Sequence, residues 1–383
     1  MTAEFAELLD RVQRRLDGYR RAPGTRSVLD RRALAEADEL WRAMRSEDTE
    51  QTRSARRALA QLHMYRATAL PQEDWYPELA HAIVCLAPVA REIEAVPTGL
   101  GPLLGPAADA DHQGDLGADL LRHNTDTADP RLVDAAIILL EGAVLATPER
   151  HARRPARLSN LGNAYFQRYR RCADPADLDR AIGSVTQATD HAGRGHPNLA
   201  EFRLMLGDFH RERYRNGGAA ADLHRAIELL ERSRSALPAG HALHAILSAK
   251  TGSAYLERYL RTPSDGGLTQ AIELLSAGLA EETATDPGHL QDLARACYLR
   301  FLAGHRMADL DAAIEAGERA VAATPDEDAV LPWRLEELAR AYEERHHHSS
   351  SALDLEQARR CSRRAATLRP RRRRWPWRRE RER

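Results

Sequence analysis

One short phrase recurs along the chain at a nearly fixed interval, and it constrains the fold more than any other feature. A large apolar residue is followed three positions later by alanine, usually with isoleucine next. The clearest copies are Leu178…Ala181-Ile182, Leu223…Ala226-Ile227, Leu268…Ala271-Ile272 and Leu310…Ala313-Ile314. The series runs back through Val133…Ala136-Ile137, Leu79…Ala82-Ile83 and a weaker Leu34…Ala37, and forward to Leu355…Ala358. Successive alanines stand 45, 54, 45, 45, 45, 42 and 45 residues apart. Self-similarity at such a period marks stacked supersecondary units, each unable to bury its apolar face alone.

A second phrase lies at a fixed offset. Nineteen residues before each of the last six key alanines is a small residue: Gly117, Gly162, Gly207, Gly252, Ala294 and Ala339. Three residues later comes Tyr165, Tyr255 or Tyr342, with His210 and Cys297 as variants. Leu158, Leu161, Tyr165 and Tyr169 fall at i, i+3, i+7 and i+11, the stripe of an amphipathic helix. Asp129-Pro130 and Asp174-Pro175 supply an N-cap followed by proline at the first helical position. Seven residues after the key alanine sits another small residue (Ala143, Ala188, Ser233, Gly278, Ala320 and Ala365), and five beyond that Pro148, Pro238, Pro325 or Pro370. Small residues let two helices approach closely, and proline ends the second one. Each unit therefore reads as helix, loop, helix, stop.

The order Leu-Gly-x-x-Tyr, then Ala, a small residue and Pro resembles the tetratricopeptide repeat (TPR). The segment from Gly162 to Ala181 is about seven residues longer than that family's usual distance, in an extended inter-helix stretch. The long form is similar to the arrays that precede caspase-like CHAT peptidase domains. The chain stops soon after its last repeat, so no such domain or protease activity is expected. The resemblance implies an all-α fold, an α-solenoid with a right-handed superhelix. It divides into 1–95, two degenerate TPR-like hairpins; 96–111, a Pro/Gly-rich insert read as a joint or long loop; 112–368, six repeats; and 369–383, a basic tail expected to be disordered.

Composition narrows the function. Hydrophobic residues make up 43%, enough for a large core, and no apolar run approaches the roughly 18 residues of a membrane span. The N-terminus has early acids and no apolar core of a secretory signal. Cys85, Cys172, Cys297 and Cys361 are scattered without a CxxC pair, which fits a reducing cytoplasm rather than a disulfide or zinc framework. The one lysine, Lys250, has no glycine-rich run before it, so there is no phosphate-binding loop, and neither HExxH nor GxSxG occurs. Cys297 takes a tyrosine's place in the repeat and reads as a core residue. His346-His347-His348 is read as a solvated inter-helix loop, and His241 and His244 as helix-face residues without a partner ligand. No enzyme activity, metal, cofactor or small-molecule substrate is expected.

The expected function is a non-enzymatic scaffold that holds a peptide or partner helix on the concave face formed by the first helix of each unit. In TPR proteins the residues one, four and five after the small position tend to face that groove. Carried over position by position, the resemblance implies Asn163, Asp208, Ser253, Arg295 and Arg340 as the first set. It adds Phe166, Gln167, Arg211, Glu212, Leu256, Glu257, Tyr298 and Glu343. It also implies a separately encoded effector as partner, such as a caspase-like peptidase or signalling ATPase. A repeated arginine (168, 213, 258, 300 and 345) and a repeated acid (Asp177, Asp222, Asp309 and Asp354) read either as helix-to-helix forks or as a ligand-binding track. The tail carries nine Arg against two Glu, +7 in a chain of net charge −1, leaving about −8 on residues 1–368. Arg371, Arg372, Arg373, Arg374, Trp375 and Trp377 would suit anionic lipid or nucleic acid, the alternative role of a membrane- or nucleic-acid-associated adaptor.

Overall fold

A computed structural model describes residues 3–22, 26–44, 49–71, 74–90, 96–97, 99–105, 107–127, 129–238, 240–264, 266–280 and 286–368. The Arg/Trp tail, with Arg371–Arg374, Trp375 and Trp377, lies outside the described residues. Among those described the chain is helical, with no β-strand. No described helix is long and apolar enough to cross a membrane. Two compact units divide the chain, Met1–Phe202 and Arg203–Arg383.

The first unit contains α1 (Ala3–Arg21), α2 (Arg26–Leu29), α3 (Arg31–Ala43), α4 (Glu50–Ala69), α5 (Trp75–Leu86), α6 (Gly101–Leu104), α7 (Ala110–Thr127), α8 (Pro130–Ala146), α9 (Arg154–Cys172) and α10 (Pro175–Ala192). Helix α1 packs on α3 and α4 on α5, followed by the hairpins α7/α8 and α9/α10, with α8 also against α9. The insert is not simply a loop. Leu100 and Leu103 are fully buried, and Gln113 Nε2 donates to the Leu103 carbonyl at 2.7 Å, so α6 is fixed to α7.

Helix α11 (Leu199–Arg215) belongs to the second unit from Arg203 onward. It is followed by α12 (Ala220–Ala236), α13 (Leu243–Arg261), α14 (Gly267–Gly278), α15 (Pro287–Gly304), α16 (Met307–Ala322), α17 (Leu331–Ser349) and α18 (Ala352–Leu368). Hairpins α13/α14, α15/α16 and α17/α18 stack in order, with α12 on α13, α14 on α15 and α16 on α17. Each unit is thus a TPR-like stack of antiparallel hairpins, an α-solenoid.

The caps fall where the sequence places them. Asp129 accepts from the Arg131 amide and Asp174 from the Ala176 amide, both at 3.0 Å, with proline opening each helix. Close packing follows the small residues. A Cβ added at Gly117 would meet Leu140 and the Ala136 carbonyl; at Gly162, Val185 and the Ala181 carbonyl; at Gly207, Leu230 and the Ala226 carbonyl; at Gly252, Leu275 and the Ala271 carbonyl. The partner is always the key alanine and the residue four beyond it. In α15/α16 the arrangement inverts: Ala294 replaces glycine on the first helix, and Gly317 stands at the facing position. The volume removed from one helix is restored on the other, as dense packing requires. Ala181, Ala226, Ala271 and the small Ala143, Ala188, Ser233, Ala320 and Ala365 are all at most 1% exposed.

Candidate functional site

The repeated arginines serve the fold. Arg168 holds Asp177 at 2.7 and 2.8 Å, Arg213 holds Asp222 at 2.5 Å, Arg300 holds Asp309 at 2.5 Å and Arg345 holds Asp354 at 2.7 Å. These forks tie the end of each first helix to the start of the second. The hydrogen bond from Arg168 holds the Asp177 carboxyl below its ordinary range, and Arg345 does the same to Asp354. Burial pushes Asp222 the other way, but bonds from Arg213 and His210 outweigh it. The α13/α14 hairpin has Gly267 where these four have the acid, and there Arg258 lies over the Tyr255 ring at 4.3 Å.

A second ladder escaped the sequence reading. Tyr165 donates to Glu141, Tyr255 to Glu231 and Tyr342 to Glu318. Each glutamate lies five residues after the key alanine of the preceding hairpin, so the bond joins one repeat to the next. The signal was present in the repeat itself. Where tyrosine gives way to His210 or Cys297, the glutamate position holds Thr186 or Ser276. His210 turns to Asp222, at 2.9 Å. Cys297 is 1% exposed and burial pushes its thiol up to about 11, so it is core, without thiolate character.

The proposed groove residues fall into three groups. In the first unit Asn163, Phe166 and Gln167 on α9 are half-buried, and Gln167 accepts from Asn124 Nδ2 at 2.9 Å. In the second unit the residues on α11 and α13 come together but close on one another. Arg211, buried, donates to Glu257 at 3.0 Å, and Arg215 joins the same carboxylate at 2.8 Å. Lys250 grips both Asp208 oxygens at 3.0 and 2.9 Å. Ser253, 1% exposed, donates to Asp292 at 2.5 Å, and Leu256 is also buried. Burial would raise the Glu257 carboxyl, but Arg211 and Arg215 hold it below its ordinary range. Burial does raise Asp292, against its Ser253 hydrogen bond. Ser253, one of the positions carried over as groove-facing, is therefore closed off from solvent. Arg211 and Leu256 are likewise covered, because the neighbouring first helix lies over them. Glu212 remains half-buried beside Asn216.

The third group is open. On α15 and α17, which pack together, Arg295, Arg340 and Glu343 are exposed and Tyr298 is half-buried. Arg340 donates to Glu337 at 2.8 Å within its own helix. Between them lies a cavity of about 30 Å³ lined by Gln291, Arg295, Tyr298, Glu337 and Arg340, room for about one water. Gln291 is 5% exposed, and its Oε1 has no hydrogen-bond partner among the described residues.

The histidines differ from expectation. His346-His347-His348 forms the last turn of α17 rather than a loop, with His346 Nδ1 against the Ser351 carbonyl at 2.7 Å. Helix α17 has the same 19 residues as α9 and α13, so the three histidines fall within the ordinary length of a first helix. His241 precedes α13 and accepts from the Leu243 amide, so it shares no helix face with His244. The one cluster with metal-ligand chemistry among the described residues is elsewhere. His63 on α4 and Glu78 and His81 on α5 each offer a ligand atom within 4.8 Å of the others. His63 Nδ1 lies 2.6 Å from Glu78 Oε2, while Arg66 Nε donates to Glu78 Oε1 at 2.7 Å. Burial lowers His81 to about 3, helped by His63 and Arg131. The spacing Glu-x-x-His at 78–81 was the available signal; nothing in the sequence paired it with His63.

No protein-family model matches the chain, and no curated protein matches it. Solved structures similar to it include the assembly chaperone of RpL4 (Acl4, residues 1–338), with 16% identity over 68% of this chain and 96% of that chain at TM-score 0.42. A Podosopora anserina kinesin light chain protein of nearly identical TPR-like repeats matches with 19% identity over 68% and 100%, TM-score 0.35. The apo quorum sensor NprR from B. thuringiensis matches with 16% identity over 93% and 98%, TM-score 0.39. At these values the likeness is one of helical-repeat fold alone.

Proposed function

We propose that the protein is a non-enzymatic interaction scaffold that holds a peptide or helix of a protein partner on the first helices of its hairpins. The observation that carries this reading is the contrast along those helices. Asp208, Arg211, Ser253 and Glu257 are bound to partners on neighbouring helices, whereas on α15 and α17 Arg295, Arg340 and Glu343 are exposed, Arg340 pairing only with Glu337 of its own helix, and Tyr298 is half-buried beside them. A half-buried tyrosine lining one cavity with two exposed arginines suits an acidic segment with an apolar anchor, because arginine and tyrosine are enriched in binding hot spots. Asn163 and Gln167 are assigned a lesser, polar contribution and Phe166 a lesser, apolar one.

The test is a comparative pull-down from native lysate with wild type, the Arg295→Glu/Arg340→Glu double variant and Asn163→Ala. A species that co-elutes with wild type and Asn163→Ala, and is lost with the charge reversals, supports the reading. A partner retained by the double variant would refute it.

A second reading rests on the segregation of charge, +7 on residues 369–383 against about −8 on the rest. That tail would bring the scaffold to an anionic lipid or nucleic-acid surface. Deleting 369–383 should then abolish binding to anionic vesicles or DNA, and binding by the full chain should fall steeply with salt. Unchanged binding after truncation removes this reading.

A further inference from the structure

We propose that His63, Glu78 and His81 form a binding site for a first-row divalent metal ion of the zinc class, which clamps α4 to α5. Two imidazoles and one carboxylate are the donor set of such ions, whereas magnesium and calcium require mainly oxygen. The ligands come from two packed helices, with Glu78 and His81 on the same face of α5 at i and i+3 and His63 opposite them on α4. The rings of His63 and His81 are stacked at a tilt, 4.4 Å between centroids.

Two features point to a ligand rather than to a closed hydrogen-bond network. Neither ring nitrogen of His81 has a hydrogen-bond partner among the described residues, although the side chain is half-buried against His63. The carboxylate, by contrast, is held from behind: Arg66 Nε fixes Glu78 Oε1, and Arg66 Nη1 is itself anchored on the Val28 carbonyl at 2.5 Å. An outer shell of this kind orients a ligating carboxylate. Ligand atoms on a tetrahedral ion stand about 3.3 Å apart, so the three groups close on a metal by side-chain shifts of about an ångström. His81, the partly exposed member, supplies the entry side and leaves room for water as the fourth ligand.

The surrounding charges set the strength. Arg66 cancels Glu78, and Arg131, the other cation near His81, is paired with Asp129 at 2.8 Å. With the neighbourhood neutral, a dication arrives without surplus negative charge to hold it. The site is therefore an exchangeable one, in contrast to the closed sites of zinc-dependent folds, and occupancy should stabilise the native state by mass action.

The test uses the full chain with any affinity tag removed. Titration with Co²⁺ should give a saturable visible absorption band of tetrahedral type at one equivalent per chain, displaced by Zn²⁺, and Zn²⁺ should raise the melting temperature. His81→Phe keeps the ring packing but not the ligand, and should weaken uptake by at least about tenfold, the scale on which even outer-shell losses act, and remove the thermal shift. His63→Gln provides a second, independent ligand loss if the first variant misfolds. Replacing His346, His347 and His348 together by Ala should change nothing. Absence of Co²⁺ uptake by wild type overturns the proposal, as does uptake that survives in both ligand variants.

Discussion

Glycine-to-alanine substitutions at the helix contacts give the sharpest test of the repeat register, because the structure ranks them. At Gly252 a new Cβ would lie 2.8 Å from Leu275 Cγ, 2.8 Å from the Leu275 amide nitrogen and 2.9 Å from the Ala271 carbonyl oxygen. Two of those three atoms are backbone, so α14 itself must move. At Gly207 the nearest atoms are Leu230 Cγ and Cδ2 at 3.0 and 3.1 Å, with the Ala226 carbonyl at 3.5 Å, and a rotating side chain can absorb the crowding. Alanine is favoured over glycine inside a helix by about 0.5–1 kcal/mol, while overpacking costs roughly 1–3 kcal/mol. Gly207→Ala should therefore come within about 1 kcal/mol of wild type and Gly252→Ala lose about 2 kcal/mol. At about 2–4 °C per kcal/mol, the second variant should melt roughly 4–8 °C lower. The first unit offers its own pair. Gly183 has nothing within 4 Å and should gain from alanine, whereas Gly162→Ala runs into Val185, a stiff β-branched side chain, and should lose. Gly207→Leu, which pushes a whole side chain against Leu230, should cost several kcal/mol. Far-UV circular dichroism melts and urea titrations read all five. Gly252→Ala melting at or above wild type, or Gly207→Leu leaving the melt unchanged, would refute the register.

Tyr342→Phe removes the bond to Glu318 and should cost about 1 kcal/mol. Calorimetry showing no loss there would make the tyrosine ladder incidental. The acid side of the stability profile should be governed by the forks. Asp177 and Asp354 have folded pKa values below the ordinary range, so their contribution is complete above that range and is lost as pH falls through the depressed values. Melting temperature should accordingly drop below about pH 4, and Asp177→Asn should be less stable near neutrality while losing less on acidification; a parallel pH profile would contradict this. Ala173, which ends α9 in the left-handed region at φ 54°, should be stabilised on replacement by glycine by up to about 1 kcal/mol, and a lower melt would count against the cap geometry. The separate losses from Arg211→Met and Glu257→Gln should add to more than the loss in the double variant, and a double-mutant cycle that finds them strictly additive would contradict the pairing.

Much of this fold could be read directly from the residues. The recurring phrase marked a helical-repeat fold, Asp-Pro pairs placed the starts of α8 and α10, and the 19-residue offset placed the glycines against the alanines. The Arg–Asp forks were legible as one of two alternatives, and buried geometry selects the structural one. What stayed hidden was the pairing across repeats. Lys250 meets Asp208 and Arg211 meets Glu257 at separations of 42 and 46 residues, close to one period. A groove position inherited from a shorter repeat says which side of a helix a residue occupies. It does not say whether the next helix lies over it, and that is why Ser253 and Leu256 are buried. The end of α17 was misplaced for a simpler reason: three histidines read as polar loop, yet a helix C-terminus accommodates them.

The repeats also separate structural from functional residues by how each position varies. Positions that recur, the small residue, the key alanine, the tyrosine with its glutamate and the arginine with its aspartate, satisfy one another inside the stack. Partners often change together, as at Ala294 with Gly317 and at Cys297 with Ser276, whereas at Gly267 the acid is lost and the unchanged Arg258 lies over Tyr255 instead. The position after the small residue follows no such rule: Asn163, Asp208, Ser253, Arg295 and Arg340 differ in size and charge. A position that packing does not dictate is free to be set by a ligand. Among these five, two are held across helices, Asp208 by Lys250 and Ser253 by Asp292, and Arg340 pairs with Glu337 within its own helix. Asn163 is half-buried, and Arg295 and Arg340 are exposed. The surface between α15 and α17 is therefore where unconstrained identity and solvent access coincide, and a partner's discrimination between this chain and another of the same fold should be lost first by changes there.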